Sequence, residues 1–304
     1  MKKPLKRILS AIAALAISLT FTLNAFAETY YTYGGYTYTI VDNNQIVIYG
    51  IDSDDYSEVS FPEKIDDRLI VVGIGLGYYS FKDDEKLTSV SFKEATFLKE
   101  IKSSAFEHCS NLASVTLGPS VQNIGILSFA NNPSLTSFDW ADSKVTVIKS
   151  QTFKNCTSLE YMELPEDLTE IGSHAFKGCT ALKEIIIGKN VTSIHDTAFT
   201  GDDQLTIACF EDSYAHQFAQ EHNIPVRILH EVKLGDADGD GSVNINDVTA
   251  IQAYKAEIYA FDELQLLAAD VNYDGKADIE DATLIQSYLA EYAVDYPVNT
   301  MVTR

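Results

Sequence analysis

From residue 87 to residue 205 the hydrophobic positions return with a period close to 23. Leucines open successive units at Leu87, Leu112, Leu135, Leu159, Leu182 and Leu205, and phenylalanines keep step at Phe106, Phe129, Phe153, Phe176 and Phe199. The units begin LTSVSF, LASVTL, LTSFDW, LEYMEL and LKEIII and continue IKSSAF, IGILSF, IKSQTF, IGSHAF and IHDTAF. A period of this length holds one strand and a return segment, and no unit can bury its apolar side alone. The spacing therefore predicts coils stacked into a solenoid around one continuous core. Trp140 stands in register with Leu117, Leu164 and Ile187, which assigns the only tryptophan to that core. Between core positions lie Thr88, Ser114, Asp139, Glu160, Tyr161, Glu163, Lys183 and Glu184, a polar and mildly acidic outer face.

The ends of this array follow other rhythms. Residues 28–58 alternate aromatic or β-branched residues with polar ones through Tyr31, Tyr33, Tyr36, Tyr38 and Ile40, then Ile46 and Ile48, with a turn at Asp42-Asn43-Asn44-Gln45. This reads as a β-hairpin capping the first coil. After the last coil, Ser213 is placed to N-cap a helix with Tyr214, Phe218 and Ala219 on its apolar side. Asn223-Ile224-Pro225 stops it, and a strand over Val226–Leu229 follows. Helix and strand together would close the open end of the stack. Residues 1–27 carry Lys2, Lys3, Lys6 and Arg7, then an apolar run from Ile8 to Leu23, then Ala25-Phe26-Ala27. That order predicts a secretory signal peptide, too short and too interrupted for a membrane span.

The tail repeats a different unit. DADGDGSVNIND, Asp236 to Asp247, returns 34 residues later as DVNYDGKADIED, Asp270 to Asp281, and the alignment of 236–257 on 270–291 has 11 identities in 22 positions. Each copy sets oxygen-bearing side chains at its positions 1, 3, 5, 9 and 12. These are Asp236, Asp238, Asp240, Asn244 and Asp247 in the first copy, and Asp270, Asn272, Asp274, Asp278 and Asp281 in the second. This is the ligand spacing of an EF-hand loop, in which a hard Ca²⁺ ion gathers six to eight oxygens. Gly241 and Gly275 stand at the sharp turn, and Ser242 and Lys276 at the position that offers a backbone carbonyl. Two loops predict two Ca²⁺ ions. Each loop runs into a helical pattern, with Val248, Ile251 and Tyr254 on one face after the first and Ala282, Ile285, Tyr288 and Leu289 after the second. The residues before the first loop, His230 to Gly235, carry no helical periodicity.

Two resemblances follow from these residues. The recurring Leu, Ile, Ala-Phe and Cys positions over about residues 59–223 resemble the BspA-like leucine-rich repeats of bacterial surface proteins. The pair of half EF-hands from about Val232 to Pro297 resembles the type I dockerin family. Together they imply an α+β multidomain chain: a β-rich leucine-rich-repeat solenoid with short return segments, followed by a small all-α dockerin. The expected boundaries are 1–27 for the signal peptide, 28–58 for the hairpin cap, 59–231 for the solenoid and 232–304 for the dockerin. The dockerin resemblance also implies a cohesin module of a scaffold protein as partner. Its contacts would be Ile245, Asn246, Gln252, Ala253 and Glu257 in one half, with Ile279, Glu280, Gln286, Ser287 and Glu291 in the other.

Charge and cysteines narrow the function. The signal peptide holds four of the 22 basic residues and none of the 44 acidic ones, leaving 18 against 44, a net charge of −26. Such a surface repels nucleic acid and anionic lipid and attracts cations. Cys109, Cys156 and Cys179 each follow a repeat phenylalanine by three residues, equivalent positions in stacked units. That favours buried thiols, with a Cys156–Cys179 disulfide as the alternative. None of the six histidines makes a metal spacing, and no nucleophile motif or phosphate loop is present. The expectation is a secreted, extracellular, non-catalytic component of a cellulosome-like complex, surface-associated through a scaffold. Its repeats would bind a protein or glycan ligand in the setting of polysaccharide degradation. The alternative is a free or surface-associated adhesin whose calcium loops are purely structural.

Overall fold

A computed structural model describes residues 30–33, 35–51, 56–65, 68–75 and 81–303. The expected signal peptide lies outside them. The repeat region is a solenoid of about eight coils, and a small helical region follows it. Each coil contributes a short strand from the phrase after its leucine and a two-residue strand from the phrase before its phenylalanine. Ser89–Ser91, Ser114–Thr116 and Ser137–Asp139 pair in parallel, as do Tyr161–Glu163, Glu184–Ile187 and Thr206–Phe210. The short strands Glu100–Ile101 and Asn123–Ile124 pair likewise, as do Val147–Ile148, Glu170–Ile171 and Ser193–Ile194.

Between these strand rows the phenylalanines stack face on face. Phe106 lies 5.5 Å from Phe129, Phe153 lies 6.0 Å beyond Phe129, and Phe176 and Phe199 follow at 5.3 and 5.5 Å. Such pairs add about 0.5–1.5 kcal/mol each beyond the burial of the rings. The return turns need a left-handed residue in every coil. His108, Asn131 and Asn155 take φ near 60°, and their side chains form a ladder of their own, with Asn155 donating to Asn131 Oδ1 at 2.7 Å. In the next coil the position is Gly178, where a Cβ would come within 2.6 Å of Asn155 Oδ1. All four cysteines are buried free thiols.

One seam interrupts the stack. The longer row breaks between Ser137–Asp139 and Tyr161–Glu163, and the short row between Asn123–Ile124 and Val147–Ile148. The interruption falls where the spacing is 24, from Leu135 to Leu159 and from Phe129 to Phe153. The backbone bonds on the phenylalanine side cross the seam intact, for example Phe129 N–H to the Thr152 carbonyl at 3.0 Å. Trp140 is buried there, as its register requires. Its ring packs 4.7 Å from Phe138 and 5.9 Å from Phe153, and its Nε1 is buried without a partner.

Both ends of the solenoid are capped, the N-terminal one with more structure than the pattern announced. The N-terminal hairpin, Tyr36–Asp42 with Gln45–Ile51, gains a third strand, Tyr30–Tyr33, and Gln45–Ile51 joins Leu69–Ile74 in parallel. At the other end, helix α1 spans Tyr214–Glu221 with Ser213 accepting from the His216 N–H, and Val226–Leu229 pairs with Thr206–Phe210. Its buried face is Ala215, Phe218 and Ala219. Tyr214, expected on that face, is 42% exposed, because the first residue of a helix stands outside the stripe that meets the core.

The tail has its own core, built from Leu234, Val248, Ile251, Val271, Ala282 and Ile285 and separate from the solenoid's. Helices α2 (Ile245–Lys255) and α4 (Ile279–Leu289) pack against each other, and α3 (Glu263–Ala269) lies between them in sequence. Leu289 stays exposed, one residue beyond the face that Tyr288 turns to the core. A short antiparallel pair, Glu231–Lys233 with Met301–Thr303, ties the two ends of the tail together and adds strand to the expected all-α region.

Candidate functional site

The two acidic loops are built alike because each ties its own backbone to its first and last carboxylates. In the first, Asp236 Oδ2 accepts from the Gly241 N–H at 2.9 Å. Asp247 accepts from the Asp238 and Asn244 N–H groups at 3.1 and 2.7 Å. In the second, Asp270 accepts from Asp274 and Gly275, and Asp281 from Val271, Asn272 and Asp278, at 2.8–3.2 Å. These four carboxylates are buried. Asp238, Asp240, Asn272 and Asp274 each accept from the N–H two residues on, which turns the chain tightly at these positions. Gly241 and Gly275 have φ of 88° and 82° with open space where a Cβ would stand, so their requirement is conformational.

Asn244 and Asp278, the ninth residues, double as N-caps. Each forms a capping box with the carboxylate three residues on, Asp247 or Asp281, so loop closure and helix start are one event. The donor set suits a hard divalent cation. One carboxylate oxygen from each of Asp236, Asp238 and Asp240 lies within 4.8 Å of the others, and Asp236 Oδ1 is buried without a partner. Burial pushes the carboxyls of Asp247 and Asp281 above the usual range against the pull of the N–H groups they accept from. Asp238 and Asp236 near Asp247, and Asp270 near Asp281, push the same way. A bound cation reverses that balance. Ser242 and Lys276 occupy the expected seventh positions, exposed, with their backbones held by Asp240 and Asp274.

Two supporting groups had no signal in the loop spacing. Lys233 Nζ donates to the Gly241 carbonyl at 2.9 Å, and Gln265 Nε2 donates to the Asp238 carbonyl at 3.3 Å while capping α3. The second loop also has an incoming helix, since α3 ends directly at Asp270, whereas the first is entered by strand.

Beyond the loops, the two halves present matching surfaces. Ile245, Asn246, Gln252 and Glu257, with Ile279, Glu280, Gln286 and Glu291, are exposed, while Ala253 and Ser287 are half-buried. Helices α2 and α4 end identically, with Glu257 and Glu291 in the left-handed region. The next N–H of each, from Ile258 or Tyr292, returns to the carbonyl of Ala253 or Ser287. That turn throws Ile258 and Tyr292 outward at 81% and 72% exposure, at the same offset in each half. Their signal was an apolar residue repeated just past each helix.

On the solenoid, the expected outer-face residues are exposed or half-buried. The seam opens a groove of about 520 Å³ lined by Phe138, Asp139, Trp140, Tyr161, Glu163 and Glu166 among others. Among the described residues no helix is long and apolar enough to cross a membrane.

Comparison with known proteins agrees with this division. Residues 75–206 match the BspA type leucine rich repeat region in six copies, and residues 234–290 match the dockerin type I domain. No curated protein matches the chain. Among solved structures it is similar to a leucine rich cell surface protein from Faecalibacterium prausnitzii A2-165. That pair has 26% identity and a TM-score of 0.49 over 63% of this chain and 56% of that one. It is also similar to a T. pallidum leucine rich repeat protein, at 22% identity and a TM-score of 0.51 over 66% of this chain and 98% of that one, a likeness of fold. The chain spans about half of the F. prausnitzii protein's length. The chain thus carries a BspA-type leucine-rich repeat region followed by a type I dockerin domain, both of them kinds of interaction module.

Proposed function

We propose that the protein is a secreted, non-catalytic component of a cellulosome-like complex, carried on a scaffold by its tail. The tail, residues 232–304, folds around two Ca²⁺ ions and docks to a cohesin module. The solenoid, residues 59–231 behind its N-terminal cap, holds a protein or glycan ligand in the setting of polysaccharide degradation. Type I dockerins bind calcium and imply a cohesin-type partner. The first ion would be held by Asp236, Asp238, Asp240, Asn244 and Asp247 with the Ser242 carbonyl. The second would be held by Asp270, Asn272, Asp274, Asp278 and Asp281 with the Lys276 carbonyl.

The observation that carries the reading is the equivalence of the two halves. Each closes an oxygen-lined loop onto the N-cap of a helix, and each helix presents the same exposed positions at the same offsets. A metal site that served stability alone would have no reason to repeat an exposed apolar residue, Ile245 or Ile279, beside each loop. The test is capture of the mature chain by immobilised cohesin modules, with Ca²⁺ and with EDTA. Calcium-dependent capture supports the proposal. A calcium-loaded tail that no cohesin retains would leave the adhesin reading in its place.

A further inference from the structure

In coil after coil, the residue three places beyond the stacked phenylalanine turns inward and meets the backbone carbonyl of the phenylalanine one coil earlier. Cys109 Sγ donates to the carbonyl of Phe81 at 3.0 Å and Asn132 Nδ2 to that of Phe106 at 2.9 Å. Cys156 Sγ donates to that of Phe129 at 3.2 Å and Cys179 Sγ to that of Phe153 at 3.1 Å. Thiol and amide differ in size and polarity, yet each has a hydrogen to give. The thiols keep theirs because burial pushes Cys109 and Cys156 up to about 12 and Cys179 well above its ordinary value.

The last coil puts Asp202 in this position, three residues after Phe199. It is 7% exposed, and both carboxyl oxygens are buried without a hydrogen-bond partner. The carbonyl in register with it is that of Phe176, which accepts the Cys179 N–H at 3.0 Å just as the Phe153 carbonyl accepts the Cys156 N–H. Among the described residues no lysine or arginine lines the cleft beside Asp202. Cys179 comes from the preceding coil, Asp203 is its neighbour in the chain, and Asp196 and His222 line the same cleft of about 350 Å³. His222 is engaged elsewhere, its Nδ1 2.9 Å from the Phe218 carbonyl and its Nε2 3.8 Å from Asp196. The nearby N–H groups of Cys179 and Gly178 are taken by the carbonyls of Phe176 and Thr200.

We propose that Asp202 is held as the neutral carboxylic acid and donates to the Phe176 carbonyl, making the C-terminal cap a latch that closes in mild acid and loosens as pH rises. An ionised carboxylate has only lone pairs to turn toward that carbonyl, and a buried charge without a partner is costly. Burial pushes the Asp202 carboxyl up to about 7, opposed by the N–H groups of Cys179 and Gly178 and reinforced by Asp203. The sign follows from proton counting. Between the unfolded value near 3.8 and the folded value near 7, the closed cap holds a proton that the open cap releases. Closure is therefore fully favoured below about pH 4, weakens as pH rises and levels off above about 7. The elements it governs are Thr206–Phe210, α1 and Val226–Leu229, all of which pack beyond Asp202.

The experiment is native-state hydrogen exchange on the mature, calcium-loaded chain at pH 5 to 8, reading the cap amides after correction for intrinsic rates. The opening equilibrium should rise by up to about tenfold per pH unit from pH 5 to about 7 and then flatten. In Asp202→Asn, which keeps a donor as Asn132 does, the slope attributable to this site should vanish. Asp202→Cys restores the residue found in other coils and serves if the first variant folds poorly. His222 lines the same cleft, so His222→Gln is the control and should leave the Asp202 slope in place. A wild-type cap that opens equally at every pH would overturn the proposal, and so would an unchanged slope in Asp202→Asn.

Discussion

Removal of calcium should unfold the tail and spare the solenoid, and the structure says by how much. Carboxylate oxygens of Asp236, Asp238 and Asp240 lie within 4.8 Å of one another. At that separation each pair repels by about 0.9 kcal/mol in bulk water and by about 3.5 kcal/mol at an effective dielectric of about 20. Asp240 is exposed, so the screened value is nearer, and the three pairs cost about 3 kcal/mol in the first loop alone. The tail from Lys233 to Asp295 carries 14 acidic residues against three lysines, which adds a diffuse repulsion. Each site kept at a hundredfold its dissociation constant would supply about 2.7 kcal/mol, so the two proposed sites would supply about 5 kcal/mol. A domain of this size has a reserve of only about 3–5 kcal/mol, and chelation should exhaust it. Two probes separate the outcomes. Trp140, the only tryptophan, reports the solenoid, while three of the four helices among the described residues belong to the tail. EDTA should therefore lower the helical circular dichroism signal while Trp140 emission stays constant. An emission shift that tracks the loss of helix would show one cooperative unit and refute the reasoning from two separate cores.

Three further outcomes are expected. Phe153→Ala removes a fully buried ring stacked between Phe129 and Phe176 and should cost the solenoid about 3–5 kcal/mol in urea unfolding read through Trp140. A loss below about 1 kcal/mol would deny the stack its role in the core. The thiols of Cys109, Cys156 and Cys179 should resist iodoacetamide at pH 8 in the native chain and react after denaturation, since burial keeps them protonated. Native labelling at any of them would contradict the buried ladder. If the tail can dock through either half, related by a half-turn, charge substitutions at Ile245 or at Ile279 should each weaken cohesin binding by only about twofold in calorimetry, and both together should abolish it. Strong loss from one alone would mean that a single half does the docking.

The repeats were readable because a solenoid puts the same physical demand on every coil, so one sequence of 304 residues states the rule several times over. Leucine and phenylalanine spacings located the core, Trp140 included, and the capping residue Ser213 located α1. The acidic loops were legible for the same reason, since EF-hand geometry is local and a dozen consecutive residues contain it. Helix α3 escaped notice because seven residues are too few to show a helical period, and its capping box, Asp262 with Gln265, was the available sign.

What the chain alone determined is therefore whatever a short window can encode: the register of each coil, the oxygen positions of each loop and the helix that each loop starts. Pairings between distant segments were decided only in three dimensions. The Glu231–Lys233 strand finds Met301–Thr303, the third N-terminal strand joins its sheet, and the seam opens beside Trp140. The Asp202 carboxyl meets a register that thiols and an amide occupy in earlier coils. No window of sequence holds both partners of such contacts, and their free energy depends on burial that exists only once the coils have stacked.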